Sequence, residues 1–126
     1  MGLFDKLSGI KGNNKIGEAP EKSMQTDSVL YIAEILYETG ELRYRYSRKM
    51  SPDGTMWIRD GFFEEYYQNG SLASEGLYND GLEDGYWKDY HENGNIAAEG
   101  YYSEGKEIGK WIYYDEQGKV EEEEYN

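Results

Sequence analysis

The sequence predicts an all-β fold, an elongated antiparallel meander of β-hairpin repeats forming a single-layer, solenoid-like sheet. Three observations predict it. A 24-residue unit recurs with its glycines and aromatics in register. Each unit divides into two short segments rich in β-formers. The connections are short and glycine-bearing, with no room for a helical crossover, so neighbouring strands must run antiparallel.

The two clearest units are Asn69–Glu92 and Asn93–Glu116. Gly70 recurs as Gly94 and Gly118, Leu72 as Ile96 and Val120, and Glu75 as Glu99 and Glu123. Gly76 recurs as Gly100, Gly81 as Gly105, Gly85 as Gly109, Trp87 as Trp111 and Tyr90 as Tyr114. Upstream the pattern weakens, with Gly61, Phe63 and Tyr66 in the places of Gly85, Trp87 and Tyr90. Gly40 opens an earlier unit that carries six extra residues around KMSPDGTMW, residues 49–57. The repeat domain is therefore placed at residues 29–126, with units at about 39–68, 69–92 and 93–116 and a partial unit at 117–126.

In chain order, VLYIAEILYE (29–38) is compatible with a helix or a strand. Strand is favoured because Ala33 and Leu36 take the places of Trp87 and Tyr90. The extra residues read as a long hairpin. SLASEGLY, GYWKDYHE, NIAAEGYY and GKWIYYDE follow as strands, about eight in all. Asn69-Gly70 and Asn93-Gly94 read as two-residue hairpin turns, with Thr39-Gly40 and Gln117-Gly118 as weaker versions. NDGLEDG and SEGKEIG, each with two glycines four apart, read as wider loops. The run Glu121–Glu124 would protect the last edge by charge repulsion.

Residues 1–28 stand apart. KGNNKIGEAPEKSMQTDS (11–28) reads as linker or disorder. In MGLFDKLSGI, Leu3, Phe4, Leu7 and Ile10 fall at helical spacing, so a short amphipathic helix that touches a membrane surface or a partner is one reading. A frayed terminus is the other, since so short a helix is marginal in water. There is no signal-peptide core and no apolar run long enough to span a membrane, and the expected location is cytoplasmic.

Composition bounds the function. The chain of 126 residues carries 26 acidic and 13 basic side chains, 14 Tyr, 16 Gly, one His and no Cys. Disulfides, thiolate sites and His-cluster metal sites are thereby excluded, and no cofactor or metal is expected. Residues 60–126 hold four lysines against 18 acids, so the net charge of -13 resides in that half. Such a surface repels nucleic acid and anionic lipid and suits a basic protein partner. No catalytic motif is present, and an enzyme is not expected.

The pattern N-G-x-[LI]-x-x-E-G-x-Y-x-x-G-x-x-x-G-x-W-x-x-Y, read from Asn69 to Tyr90 and from Asn93 to Tyr114, resembles the MORN-repeat variant family. The resemblance covers about residues 29–126. It implies a MORN-type sheet and a non-enzymatic protein-binding module. Through the family's YwqK-type bacterial members, which serve as antitoxins or immunity proteins, it further implies neutralisation of a partner toxin. The alternative is a structural or scaffold repeat protein that self-associates or mediates assembly, with membrane contact through residues 1–10. Oligomeric state is left open.

Candidate partner-binding residues fall into three groups. Trp87, Tyr90, Trp111 and Tyr114 recur, and form either a binding face or the packing between hairpins. Trp57, Phe62 and Tyr67 do not recur in the pattern and suit a partner hot spot, with Arg43, Arg45 and Arg48 nearby in sequence. Glu83, Asp84 and Glu107 belong to the acidic half, which either meets a basic toxin or is simply solvated. His91 reads as a polar surface residue beside a turn.

Overall fold

The computed structural model describes residues 29–126. The expected linker and amphipathic helix, residues 1–28, lie outside the described residues. The described chain is all β: β1 (Tyr31–Leu36), β2 (Leu42–Met50), β3 (Trp57–Tyr66), β4 (Leu72–Asn79), the two-residue β5 (Leu82–Glu83), β6 (Gly85–Tyr90), β7 (Ile96–Ser103), β8 (Lys106–Tyr114) and β9 (Val120–Tyr125). They form one antiparallel sheet in the order β1-β2-β3-β4-β6-β7-β8-β9, with β5 pairing β4 alongside β6. Eight strands at about 4.8 Å spacing give a meander about 34 Å across. The segment 29–38 holds a strand rather than a helix, over Tyr31–Leu36, and the extra residues extend β2 and β3 into a longer hairpin, as expected.

Register explains the repeat. Ala33 lies opposite Tyr46, Tyr46 opposite Phe63, Phe63 opposite Gly76, Trp87 opposite Gly100, and Trp111 opposite Glu124. Side chains directly opposite share a face, so these residues form one row across the sheet. Each tryptophan lies flat over the glycine of the preceding strand. A methyl group on Gly76 would sit 2.1 Å from Trp87 Cδ2, and one on Gly100 would sit 2.3 Å from Trp111 Cδ2. The indole Nε1–H groups then donate 3.0 Å bonds to the Leu77 and Tyr101 carbonyls. Tyr78 and Tyr102 fill the gaps between rows edge-on, at centroid distances of 5.4 Å (Tyr78–Trp87), 5.9 Å (Trp87–Tyr102) and 5.2 Å (Tyr102–Trp111). This ladder is the core. Trp111 is 3% exposed and Trp87 7%, although the sheet has one layer.

The turns differ from the expected assignment. At Asn69-Gly70 and Asn93-Gly94 the glycine alone has positive φ (91° and 95°), and its N–H donates to the carbonyl three residues back. These are three-residue loops, a type I turn closed by a left-handed glycine. The asparagine serves by its side chain, whose Oδ1 accepts the N–H two residues on (Ser71, 2.8 Å; Asn95, 2.9 Å). The true two-residue turns are Asp80-Gly81 and Glu104-Gly105, inside the segments expected to be wide loops. There both central residues have positive φ, 54° and 93° in the first and 50° and 83° in the second. The left-handed Asp80 and Glu104 are held by N–H bonds to Asp60 and Asp84 carboxylates, at 2.6 and 3.3 Å.

The three-residue turns are also tied to one another. Tyr37 donates its hydroxyl to the Tyr66 carbonyl at 2.7 Å, and Tyr67 donates to the Tyr90 carbonyl at 2.5 Å. His91 Nε2 makes the same bond to the Tyr114 carbonyl at 2.9 Å. Tyr67 and His91 thus occupy one repeat position, three residues before the turn glycine. Asp115, next in that series, instead binds its own turn, accepting from the Gln117 and Lys119 N–H groups at 2.9 Å each.

Two outcomes follow from this packing. Gly100→Ala forces the Trp111 ring off its seat and is expected to cost about 1–3 kcal/mol in urea unfolding. In the double variant Gly100→Ala/Trp111→Leu the loss is expected to fall well short of the sum of the single losses, because the clash is removed with the ring. At the turn tie, His91→Tyr is expected to keep wild-type stability, whereas His91→Ala loses about 1 kcal/mol. Equal stability of these two His91 variants would show that the bond contributes nothing.

Candidate functional site

The sheet presents two unlike faces. On the tryptophan face, the ladder Phe63–Tyr78–Trp87–Tyr102–Trp111 runs across the strands, with Tyr113 packed beside it. Its flanks are carboxylates. Glu83 lies opposite Tyr78, Glu107 opposite Tyr102, Glu122 opposite Tyr113, and Glu124 opposite Trp111. Asp89 lies opposite Ala98 and accepts the Ser74 hydroxyl at 2.7 Å. The crowding of negative charge shows in the tyrosines. Burial first, then Glu107, Glu83 and Asp89, pushes the Tyr102 hydroxyl pKa above its ordinary value. Tyr113 is raised by burial and then by Glu107, Glu124 and Glu122.

The same face ends differently toward the N-terminus. Arg59 lies with its guanidinium 5.0, 5.2 and 5.3 Å from the ring centroids of Tyr46, Phe63 and Tyr78, and donates to the Tyr78 hydroxyl at 3.2 Å. Beyond it Arg48 stacks 4.0 Å over Trp57, and Tyr31 meets the edge of that indole at 5.4 Å.

The opposite face carries a charge row. Glu34, Arg45, Glu64 and Glu75 lie successively opposite one another, then Lys88, Glu99, Ile112 and Glu123. Arg45 bridges Glu34 (3.2 Å) and Glu64 (3.8 Å), and Lys110 pairs with Glu123 (3.4 Å). Tyrosines hold the carboxylates from one side. Tyr90 donates to Glu75 and Tyr114 to Glu99, each at 2.5 Å, and Tyr66 to Glu64 at 2.8 Å. Burial and these carboxylates push Tyr66 and Tyr90 up to about 12. On the other side runs an apolar strip in which Phe62 faces Leu77 and Tyr86 faces Tyr101. Phe62, Leu77 and Tyr86 line a shallow depression of about 340 Å³ with Glu64, Glu75 and Lys88.

The candidate residues are thus distributed. Trp87, Trp111, Glu83 and Glu107 meet on the tryptophan face. Tyr90, Tyr114 and Phe62 are on the opposite face, the last under the Arg45 guanidinium at 5.2 Å. Trp57 is at the far corner beside the long hairpin. Tyr67 spends its hydroxyl on the inter-turn tie, and Asp84 its carboxylate on the Glu104 N–H. Three residues of the tryptophan face, Tyr78, Tyr102 and Arg59, were not among the candidates, although the first two are the tyrosine of the E-G-x-Y pattern. The 24-residue offset carries the signal for the last, because it places Arg59, Glu83 and Glu107 in one column. Among the described residues, no group of three or more His, Asp or Glu side chains is placed to hold a metal ion. Among the same residues, no helix is long and apolar enough to cross a membrane.

Glu99 gives this arrangement a pH signature. Hydrogen bonds from Tyr114 and then Tyr86 hold its carboxyl below the usual carboxylate value. A depressed folded pKa stabilises the fold above the unfolded value and loses that contribution as pH falls through the folded one. Tyr114→Phe is therefore expected to be less stable than wild type at neutral pH by about 1 kcal/mol. The gap should narrow as pH falls below about 4.5, where unfolded Glu is half protonated, and through the lower folded value. Thermal unfolding of both proteins across that range checks it, and a gap independent of pH would contradict it.

No curated protein and no solved structure matches the chain. The family model described as MORN repeat variant matches residues 59–80, 83–104 and 107–125. Each match opens at or next to a residue of the Arg59, Glu83, Glu107 column and holds one tryptophan-row residue of Phe63, Trp87 and Trp111. With three successive matches over half its length and the sheet register that such repeats require, the chain belongs to the MORN repeat variant family.

Proposed function

We propose that the chain is a non-enzymatic, cytoplasmic protein-binding module that neutralises a toxic protein by surface contact, as an antitoxin or immunity protein does. MORN repeats are in general modules that bind proteins or membranes. The observation that carries the reading is a one-layer sheet whose large apolar side chains remain exposed on a broad face. Leu77, Tyr86, Tyr101 and Ile108 are 39–54% exposed on the face opposite the tryptophans. Such an uncovered apolar face fits a macromolecular contact rather than a small-molecule site, since the depression beside it is shallow and open. The acidity of residues 60–126 favours a basic partner and a fast encounter.

A second reading is a scaffold repeat protein that self-associates. It is favoured by β1, which pairs on one side among the described residues and carries a single charged residue, Glu34.

The test expresses each gene flanking this one alone and together with it. One flanking product is expected to arrest growth alone, to be silenced by co-expression and to co-purify with this chain. Unimpaired growth with every flanking product overturns the antitoxin reading. Sedimentation of the isolated chain as an oligomer would support the scaffold reading instead.

A further inference from the structure

We propose that the tryptophan face is the docking surface for an arginine-bearing segment of the protein partner, with guanidinium groups seated beside Glu83 and Glu107. The proposal rests on the protein-binding reading above and adds a second contact, on the face opposite the exposed apolar strip, with the chemistry that this second contact recognises.

The molecule already shows how a guanidinium sits on this ladder. Arg59 lies over Tyr46, Phe63 and Tyr78 at 5.0–5.3 Å and donates to the Tyr78 hydroxyl. In that unit the cation is supplied by the chain itself. One unit on, the repeat keeps two of these three rings, Trp87 for Phe63 and Tyr102 for Tyr78, with Gly76 in the place of Tyr46; two units on it keeps one, Trp111, with Gly100 and Asn126 in the other two places. It replaces the arginine by Glu83 and Glu107. Half-buried rings are thus left beside a carboxylate that would attract a guanidinium, Tyr78 opposite Glu83 and Tyr102 opposite Glu107.

The cations of the acidic half do not serve these positions. Lys88 lies on the opposite face between Glu75 and Glu99, and Lys110 lies there with Glu123. That face is largely self-neutralised, since Arg45 also bridges Glu34 and Glu64. Lys106 lies opposite Ser103, again on that other face. On the tryptophan face, Glu65 has Arg43 within 4.0 Å, whereas Glu83, Asp89, Glu107, Glu122 and Glu124 form no ion pair among the described residues. Charge complementarity therefore selects this face, and the planar cation that stacks on rings while pairing with carboxylates is arginine rather than lysine.

Spacing narrows the occupant further. Glu83 and Glu107 are two strands apart, about 10 Å. A polyproline II-like segment rises about 3.1 Å per residue and returns to the same face every three residues, about 9 Å, so an extended segment of that kind with arginines at every third position matches the two seats, whereas a β-strand would turn such arginines to opposite faces.

The test titrates the full chain with a synthetic peptide carrying arginine at every third position, and with its lysine and glutamine counterparts. The readout is the indole N–H signals of Trp57, Trp87 and Trp111. The arginine peptide is expected to shift Trp87 and Trp111 and to bind more tightly than the lysine peptide. The isosteric Glu83→Gln/Glu107→Gln variant should weaken it about tenfold, the effect of two partly exposed charge pairs. Glu64→Gln/Glu75→Gln on the opposite face should leave it unchanged. Equal binding of the arginine and lysine peptides overturns the proposal, as does insensitivity to Glu83→Gln/Glu107→Gln or loss on Glu64→Gln/Glu75→Gln. A flanking toxin still neutralised by Glu83→Gln/Glu107→Gln would end this inference and leave the antitoxin reading standing. Absence of any flanking toxin would end that reading without touching the peptide result.

Discussion

The rest of this structure depends on one contact, an indole laid flat on a glycine of the preceding strand. A one-layer sheet has no second layer to bury its side chains against, so its core must be built within one face. A side chain standing perpendicular to the sheet could not be covered there. Trp87 and Trp111 solve this by lying down, which is possible only because Gly76 and Gly100 present no Cβ. The indole N–H is then aimed at a backbone carbonyl of the glycine-bearing strand, so a ring that is almost wholly buried leaves no polar atom unsatisfied. Tyr78 and Tyr102 close the spaces between rings with their edges, and the whole ladder follows from that first placement.

The contact also explains why the repeat tolerates change where it does. Where the large ring is lost, the glycine is not needed. Phe63 and Tyr46 face each other with both rings present, tilted at 5.9 Å. Glu124 stands where a further glycine would be, since no ring of the described chain lies upon it. A second set of restraints keeps successive hairpins in register at the turn edge, and there the requirement is only a donor of suitable reach. Tyrosine and histidine both meet it, which is why Tyr37, Tyr67 and His91 look unrelated in sequence yet make one bond.

How far the residues disclosed this depends on what each level of pattern encodes. Periodicity exposed the strands, their antiparallel order and the glycine–tryptophan offset, because those are repeated in identity. The turns were harder. Asn-Gly is the usual signature of a two-residue hairpin, but here the asparagine's carboxamide caps a three-residue loop, and the left-handed pair is Asp80-Gly81 and Glu104-Gly105. Local composition does not separate these, since the deciding factor is the acceptor that Asp60 or Asp84 offers from a neighbouring hairpin. The candidate face was partly legible for a similar reason. Trp87, Trp111, Glu83 and Glu107 were visible as recurring or acidic residues, but NDGLEDG and SEGKEIG read as wide loops, which hid that Glu83 and Glu107 lie in strands, four residues before the tryptophans and on their face. Tyr90 and Tyr114, three residues after Trp87 and Trp111, fall on the other side by alternation, and the register shifts opposite them are taken up on the partner strands, at Ala97 and Glu121.

The alternation also changes what the net charge means. Read along the chain, the acidity belongs to one end. Read across the sheet, it belongs to one face of that end, because the alternation places Lys88 and Lys110, each next to a tryptophan, among the carboxylates of the other face. A sheet divided in this way has one face whose charges are satisfied internally and one whose aromatic ladder is bordered by unmatched carboxylates. The unmatched face gains most from an incoming cation, and Arg59 shows the geometry such a cation adopts on these rings. Between units of this chain, then, one column passes from an arginine that the ladder holds to glutamates that offer a seat for one.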